Sequence, residues 1–223
     1  MDLLHSLAIP VFPMRCRVCG QPLLYRPFVV LRICGTCLKR LLDERIYGPR
    51  CSKCGMPLLS EHGICLSCRE NEHAFDWHYS LFMYQQTART LIKAYKFDPL
   101  SPLSYLWAHM LAVELKRLMT PPSVIVPVPA RRSSIRKRGW DQMELICTHL
   151  HLKHGLPTAL LLKRSGSASQ KQLTYKQRMR NLPCHIQIRR NHEKLPEEVL
   201  LIDNVYTTGA TLNECARVLK EQT

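Results

Sequence analysis

Val199-Leu200-Leu201-Ile202-Asp203-Asn204-Val205-Tyr206-Thr207-Thr208-Gly209-Ala210-Thr211 runs from an apolar segment through an acid-amide pair into a threonine-rich turn. Val199 to Ile202, entered from Pro196-Glu197-Glu198, predicts a short buried parallel strand. Leu212, Cys215, Ala216 and Leu219 follow at helical spacing, so the turn opens a helix. The first N–H groups of such a helix lack internal partners and carry the positive end of its dipole, which attracts an anion. The hydroxyls of Thr207, Thr208 and Thr211 add donors, and Gly209 lets the backbone approach a phosphate closely. Asp203 and Asn204, at the carboxyl end of the strand, are placed to meet sugar hydroxyls. The competing reading is an ordinary strand-to-helix turn capped by a threonine.

Outside this stretch, charge sets the next bound. The 223-residue chain holds 32 Lys plus Arg against 17 Asp plus Glu, a net charge of +15. That excess favours polyanionic partners: nucleic acid, an anionic membrane surface or phosphorylated small molecules. No apolar run approaches the roughly 20 residues of a spanning helix. The apolar start, MDLLHSLAIPVFPM, lacks a basic beginning and contains Pro10 and Pro13, which argues against a signal peptide. A cytoplasmic protein is expected, reaching the inner face of the membrane only through partners.

Eight of eleven cysteines form four CxxC pairs, Cys16/Cys19, Cys34/Cys37, Cys51/Cys54 and Cys65/Cys68. A two-residue gap lets two thiolates approach one tetrahedral ion from a tight turn. Gly20 and Gly55 follow two of the pairs, freeing backbone N–H groups for the sulfurs. The segment repeats internally: CRVCGQPLL at Cys16 matches CSKCGMPLL at Cys51, and each is followed by an Ile-Cys-x-x-Cys pair. Two structural Zn²⁺ sites follow, and the economical assignment is Cys16, Cys19, Cys34 and Cys37 on one, and Cys51, Cys54, Cys65 and Cys68 on the other. Spacing alone leaves open a cross-braced pairing. A small zinc-binding unit over residues 1–73 is thus expected, stabilised by metal in place of a large core. Cys147, Cys184 and Cys215 are isolated and read as core or surface thiols.

From about Phe75 the cysteines thin out and residues 74–223 read as a larger α/β unit. Trp77 to Tyr84 predicts a strand or hairpin, and Ala88, Leu91, Ile92 and Tyr95 mark a helix closing near Pro99. A second helix spans Leu103 to Met119, and Val124 to Pro129 is an apolar strand ending in a rigid turn at Ala130 and Arg131. The basic tract Arg131, Arg132, Arg136, Lys137 and Arg138 reads as a pyrophosphate-binding loop, or as a nucleic-acid patch with Trp140 as a stacking surface. A second cationic stretch, Lys163, Arg164, Lys171, Lys176, Arg178 and Arg180, encloses Tyr175. Cations interleaved with an aromatic ring suit single strands better than duplex grooves.

The stretch 199–211 resembles the phosphoribosyl pyrophosphate (PRPP) motif of type I phosphoribosyltransferases, a hydrophobic strand followed by two acids and a threonine-glycine loop. The four CxxC pairs, LIKAYKF at Leu91–Phe97, IVPVP with the basic residues after it, RGWDQ at Arg138–Gln142, the pattern of Gln170, Leu173, Arg178 and Asn181, and IDNVYTTGAT stand in one order along the chain. In that order they resemble the ComF/GntX family over essentially the whole length. The resemblance implies an α/β fold of the type I phosphoribosyltransferase kind, a parallel sheet with flanking helices and a mobile hood. It implies a PRPP site at Asp203, Asn204, Thr207, Thr208, Gly209, Ala210, Thr211, Ala130 and Arg131, with Mg²⁺ on the pyrophosphate. It further implies handling of incoming single-stranded DNA in natural transformation, beside a competence DNA helicase or translocase. The nucleic-acid set would be Arg132, Arg136, Lys137, Arg138, Trp140, Lys171, Tyr175 and Lys176.

Two departures stand out. Asn204 occupies the place of the second acid, which would stabilise positive charge on the ribose, so binding without turnover is the expected outcome. The alternative is an active transferase moving phosphoribosyl from PRPP to a nucleobase, with Asp203 as its catalytic acid group. The chain also stops at Thr223, where the family continues into another turn and strand; a truncated end or a missing edge strand is expected.

Overall fold

The computed structural model describes residues 14–60, 62–97, 102–118, 124–164, 186–189 and 195–222. Its N-terminal part is built twice from one plan. Cys16 N–H donates to the Gln21 carbonyl at 2.8 Å and Cys51 N–H to that of Met56 at 2.9 Å. The single bridges Arg15–Pro22 and Arg50–Pro57 close the two knuckles in the same way. Each second cysteine pair then opens a helix. Cys34 precedes α2 (Gly35–Asp43) and Cys65 precedes α3 (Leu66–Glu70), while the first unit inserts α1 (Arg26–Leu31) between its pairs.

The repeats are used differently. Cys16, Leu23, Ile33, Cys37 and Leu41 of the first share one core with Ala88, Leu91, Ile92 and Tyr95 of α4 (Gln86–Phe97) and with Leu103, Leu106, Trp107, Ala108 and Ala112 of α5 (Leu103–Leu118). Glu44, just past α2, caps α4 by accepting from Thr87 N–H at 2.9 Å and Ala88 N–H at 3.0 Å, so two orphan donors at that helix start are met from the zinc-binding part. The second repeat instead forms a small cluster of its own around Cys51, Cys54 and Leu58.

The segment Trp77–Tyr84 is extended but makes no strand; its only ladder contact among the described residues is the single bridge Arg45–Phe82. Its polar groups are taken by neighbours. Arg50 donates to the Ser80 carbonyl at 2.7 Å, Ile46 N–H to that of Leu81 at 3.1 Å, and the Tyr79 hydroxyl to buried Glu114 at 2.7 Å. Burial works against the Glu114 charge, yet Tyr79 and the ion-paired Arg45 hold its carboxyl below the usual range.

After α5 the chain forms β1 (Val124–Pro127), α6 (Arg132–Arg138), α7 (Gln142–His154), β2 (Leu162–Arg164), β3 (Ile186–Ile188), β4 (Val199–Ile202) and α8 (Ala210–Lys220). β1 and β4 pair in parallel, Val124 opposite Val199 through Pro127 opposite Ile202, and Val128 N–H extends the ladder to the Ile202 carbonyl at 3.0 Å. β2 and β3 pair antiparallel. The parallel bridge Ile125–Thr158 joins the run leading into β2 to the other edge of β1. Among the described residues the pairing therefore amounts to two two-stranded sheets, narrower than the expected parallel sheet. Val124, Val126 and Val128 face a second core with Leu161, Leu162, Ile186, Leu212, Cys215, Ala216 and Leu219, while Ile125 and Ile202 face the first. Period-two alternation thus ties helix layers to both sides of β1.

The basic tract expected as a loop is helix. Arg132–Arg138 form α6, ended by Gly139 at φ 85°, and two residues later Asp141 caps α7 by accepting from Met143 N–H at 2.9 Å. RGWDQ is thus a helix stop, a turn and a helix start in succession. Gln170, Lys171, Leu173, Tyr175, Lys176, Arg178, Arg180, Asn181 and Cys184 lie outside the described residues. Among the described residues no helix is long and apolar enough to cross a membrane.

Candidate functional site

Two arrangements carry chemistry. In the first, Cys16, Cys19, Cys34 and Cys37 bring their sulfurs together, as do Cys51, Cys54, Cys65 and Cys68, each set within 4.8 Å. The sequential pairing is the one the fold adopts. Four sulfurs about 2.3 Å from a tetrahedral zinc ion lie roughly 3.8 Å apart. Cys19 and Cys34 stand at 3.8 Å, Cys54 and Cys65 at 3.7 Å. Backbone N–H groups of Cys34 and Cys65 point at the sulfurs of Cys16 and Cys51, each at 3.4 Å. Burial opposes a thiolate at Cys51, but N–H groups of Cys54, Cys65 and Lys53 outweigh it and bring the thiol down to about 6. Cys37 and Cys68 are pushed up by burial and by the neighbouring sulfurs, so a full set ionises together only around a cation. The donor sets fit structural Zn²⁺, closed to substrate. His73 adds a contact to the second set, its Nε2 lying 3.5 Å from the Cys68 sulfur.

The second arrangement lies at the carboxyl ends of β1 and β4, where open parallel strands leave a crevice for ligands. The β4 strand delivers Asp203, and the chain continues through Asn204 to the Thr207-Thr208-Gly209 turn at the start of α8. Gly209 caps α8 at φ 71° and offers no side chain, so the first helical N–H turns to a threonine hydroxyl instead. Thr207 and Thr208 are exposed, and Thr208 Oγ1 accepts from Ala210 N–H at 3.4 Å. Across the crevice, β1 delivers Ala130 and Arg131. Ala130 N–H is already engaged by Asp141 Oδ2 at 3.1 Å, which fixes the β1 turn to the start of α7 and removes that donor from a ligand.

Protein crowds Asp203 while solvent still reaches it, and the crowding raises its carboxyl to about 6, opposed by Asn204 N–H, Lys96 and Arg164. Lys96 is held below its usual value by burial and by Arg138; Arg164 is lowered by burial and by Arg131. Burial and neighbouring cations both act against these charges, and the attraction of an anion in the crevice would offset both. Asn204 Nδ2 donates to Gln142 Oε1 at 3.2 Å, and the buried Gln142 Nε2 is left without a hydrogen-bond partner in the protein. Sequence reasoning did not assign Lys96, Arg164 and Gln142 to the crevice. They stand on three separate elements, and no spacing rule connects them to Asp203.

An acid whose folded value is raised stabilises the fold when protonated, and that stability is lost as pH rises through the folded value. Asp203→Asn should therefore melt higher than wild type at pH 7, with the gap shrinking towards pH 5. Melting curves at both values check this, and an equal gap would show that crowding does not raise the group.

On α6, Arg132, Arg136 and Lys137 are exposed, and an open concavity of about 360 Å³ lies beside Arg132, Ile135 and Arg136. Arg138 turns inward. Trp140 is half-buried and meets Tyr95 edge-on at 5.0 Å, leaving a base only part of its ring.

The zinc-binding part matches a family model described as a double zinc ribbon domain over residues 8–69. Along its length the chain is 30% identical to the competence protein ComFC of Streptococcus pneumoniae over 217 residues, covering 93% of this chain and 94% of that one. It is 25% identical to competence protein F of Haemophilus influenzae, covering 85% and 84% of the two chains. It is 24% identical to the DNA utilization protein YhgH of Escherichia coli K12, covering 93% and 91%.

Proposed function

Because the chain belongs to the ComF/GntX family, we propose that it is a DNA-uptake protein of natural transformation that binds PRPP or a related sugar phosphate and single-stranded DNA. The observation that carries the ligand half is the crevice, in which Lys96 and Arg164 act on the raised carboxyl of Asp203, with Arg138 beside Lys96 and Arg131 beside Arg164, at the start of α8. In this reading residues 74–223 form the ligand-binding part, a phosphoribosyltransferase-like α/β unit behind the zinc ribbons. Asp203 and Asn204 hold the ribose hydroxyls. Residues Thr207–Thr211 hold the 5′-phosphate, the crevice cations face the pyrophosphate, and Mg²⁺ enters with it. With an amide at 204 the site lacks the second negative charge that turnover through a cationic ribose requires, so the protein acts by binding. Single strands lie along the exposed cations of α6, and a helicase or translocase that moves the strand is the fitting protein partner.

PRPP with Mg²⁺ should raise the melting temperature of the full chain, since a ligand that binds only the folded state stabilises it by mass action. At a concentration a hundred times its Kd the gain is about 2.7 kcal/mol. Asp203→Ala should weaken the shift by removing sugar contacts, and Thr208→Val by deleting a phosphate donor. Asn204→Asp should fold normally, because Gln142 Nε2, unpartnered in the wild type, becomes a donor to the new carboxylate when the amide turns over. That variant should strengthen the Mg²⁺-dependent shift or begin slow pyrophosphate release with a nucleobase. No shift in wild type or in Asn204→Asp up to millimolar PRPP would remove the phosphate site from this reading, whereas pyrophosphate release by wild type would make the protein an enzyme.

A further inference from the structure

Tyr206 lies between the threonine-glycine turn and the second zinc ribbon. Its ring stacks on His78 with centroids 4.1 Å apart and planes 28° from parallel. It also packs against the cluster of Cys51, Cys54 and Leu58. On the other side it covers Gly209: a Cβ there would fall 2.6 Å from the Tyr206 hydroxyl and 2.9 Å from its ring carbons. Gly209 is thus required both by its φ of 71° and by the ring above it.

His78 is itself fixed to the ribbon. Its Nδ1 lies 2.8 Å from the Cys54 carbonyl oxygen, and its own carbonyl closes on Gly55 so tightly that a Cβ at Gly55 would come within 2.3 Å. A second tie runs beside it. Ala74 N–H donates to Asn213 Oδ1 of α8 at 2.6 Å, His73 stacks on Phe75 at 4.7 Å, and His73 Nε2 reaches the Cys68 sulfur. The path from a zinc-ligand residue to the ligand turn is therefore short: Cys54, His78, Tyr206, Gly209. Nothing comparable joins the first ribbon to this turn among the described contacts.

We propose that Tyr206 is a positioning residue through which the second zinc ribbon holds the Thr207–Thr211 turn in shape, so that ligand binding depends on the metal at Cys51, Cys54, Cys65 and Cys68. The ligand consequence rests on the phosphate-site reading above; the mechanical coupling does not. The second ribbon is then a support for the crevice as well as a folding staple. Its small separate core suits this, because it can loosen without unfolding the helices of the main core.

Amide hydrogen exchange across residues 203–211, with zinc content measured on the same full-length protein, tests the coupling. Tyr206→Ala should keep two zinc ions per chain and exchange this turn at least ten-fold faster, while α5 and α7 exchange as in wild type. Tyr206→Phe should behave as wild type, and Cys68→Ser, which loses the second metal, should speed the same turn. Tyr206→Leu, which keeps bulk and loses the ring stack, gives the same reading if the alanine variant does not fold. Unchanged exchange in Tyr206→Ala or Tyr206→Leu with both ions bound overturns the proposal, as does acceleration spread equally over α5 and α7. A PRPP melting shift on wild type separates the two readings: its absence removes the ligand, while the exchange result alone decides the coupling.

Discussion

Purified protein should carry two zinc ions per chain, and losing the first should be far more damaging than losing the second. Each four-thiolate site contributes about 10 to 16 kcal/mol of apparent binding energy that becomes folding energy. A whole domain is stable by only about 5 to 15 kcal/mol. Cys16 and Cys37 are buried in the core that also holds Leu91, Tyr95 and Trp107, so Cys37→Ser removes a wall of the main core along with the metal. Cys68 belongs to the small cluster of the second ribbon, so Cys68→Ser should leave α4, α5 and α7 folded. Zinc analysis with far-ultraviolet circular dichroism reads both: near-complete loss of helix for Cys37→Ser, and one ion with most helix retained for Cys68→Ser. Equal damage from the two would mean that the cores are not separate, and zinc-free protein with thiols oxidised in pairs would replace the metal sites by disulfides.

Reversing the charges of α6 should cut single-strand affinity by roughly a hundred-fold or more in 50 mM salt. Each phosphate neutralised on a single strand adds about 0.7 to the slope of log affinity against log salt. Arg132, Arg136 and Lys137 are exposed together on one short helix, so reversing all three to Glu should lower that slope by about 2. Lys39→Glu with Arg40→Glu, on the exposed side of α2, should cost far less. Fluorescence anisotropy with an unstructured oligonucleotide across a salt series gives both numbers. A triple variant that binds as wild type would move the nucleic-acid surface away from α6.

Local pattern made much of this legible. Four apolar residues before Asp203 announce a buried parallel strand; β4 is a parallel strand there, but only Ile202 is fully buried while Val199, Leu200 and Leu201 are half-buried. The repeat of CRVCGQPLL as CSKCGMPLL announces two equal knuckles, and the hydrogen bonds of Cys16 and Cys51 repeat almost to the tenth of an ångström. The helical face of Ala88, Leu91, Ile92 and Tyr95 is the buried face of α4. The tract after Ala130 misled because cations following a strand suggest a pyrophosphate-binding loop, whereas Gly139 and Asp141 supply a helix stop and a helix cap within three residues. Trp77–Tyr84 misled in the other direction: its aromatic residues have strand composition, but its carbonyls and hydroxyls are claimed by Arg50, Ile46 and Glu114.

The amino-acid sequence by itself determined the metal chemistry, the strand and helix that frame the threonine-glycine turn, and the excess of positive charge, because each depends on residue type at short spacing. Tertiary structure alone decided the rest. Which cysteines share an ion depended on how the knuckles fold back. Which cations face Asp203 depended on α4 and β2 converging on the end of β4. Which ribbon touches the threonine-glycine turn depended on Tyr206 finding His78, residues far apart in the chain and joined by no periodicity. Contacts of this kind form because burying an aromatic ring and pairing a buried polar group lower the free energy wherever the partner lies along the chain.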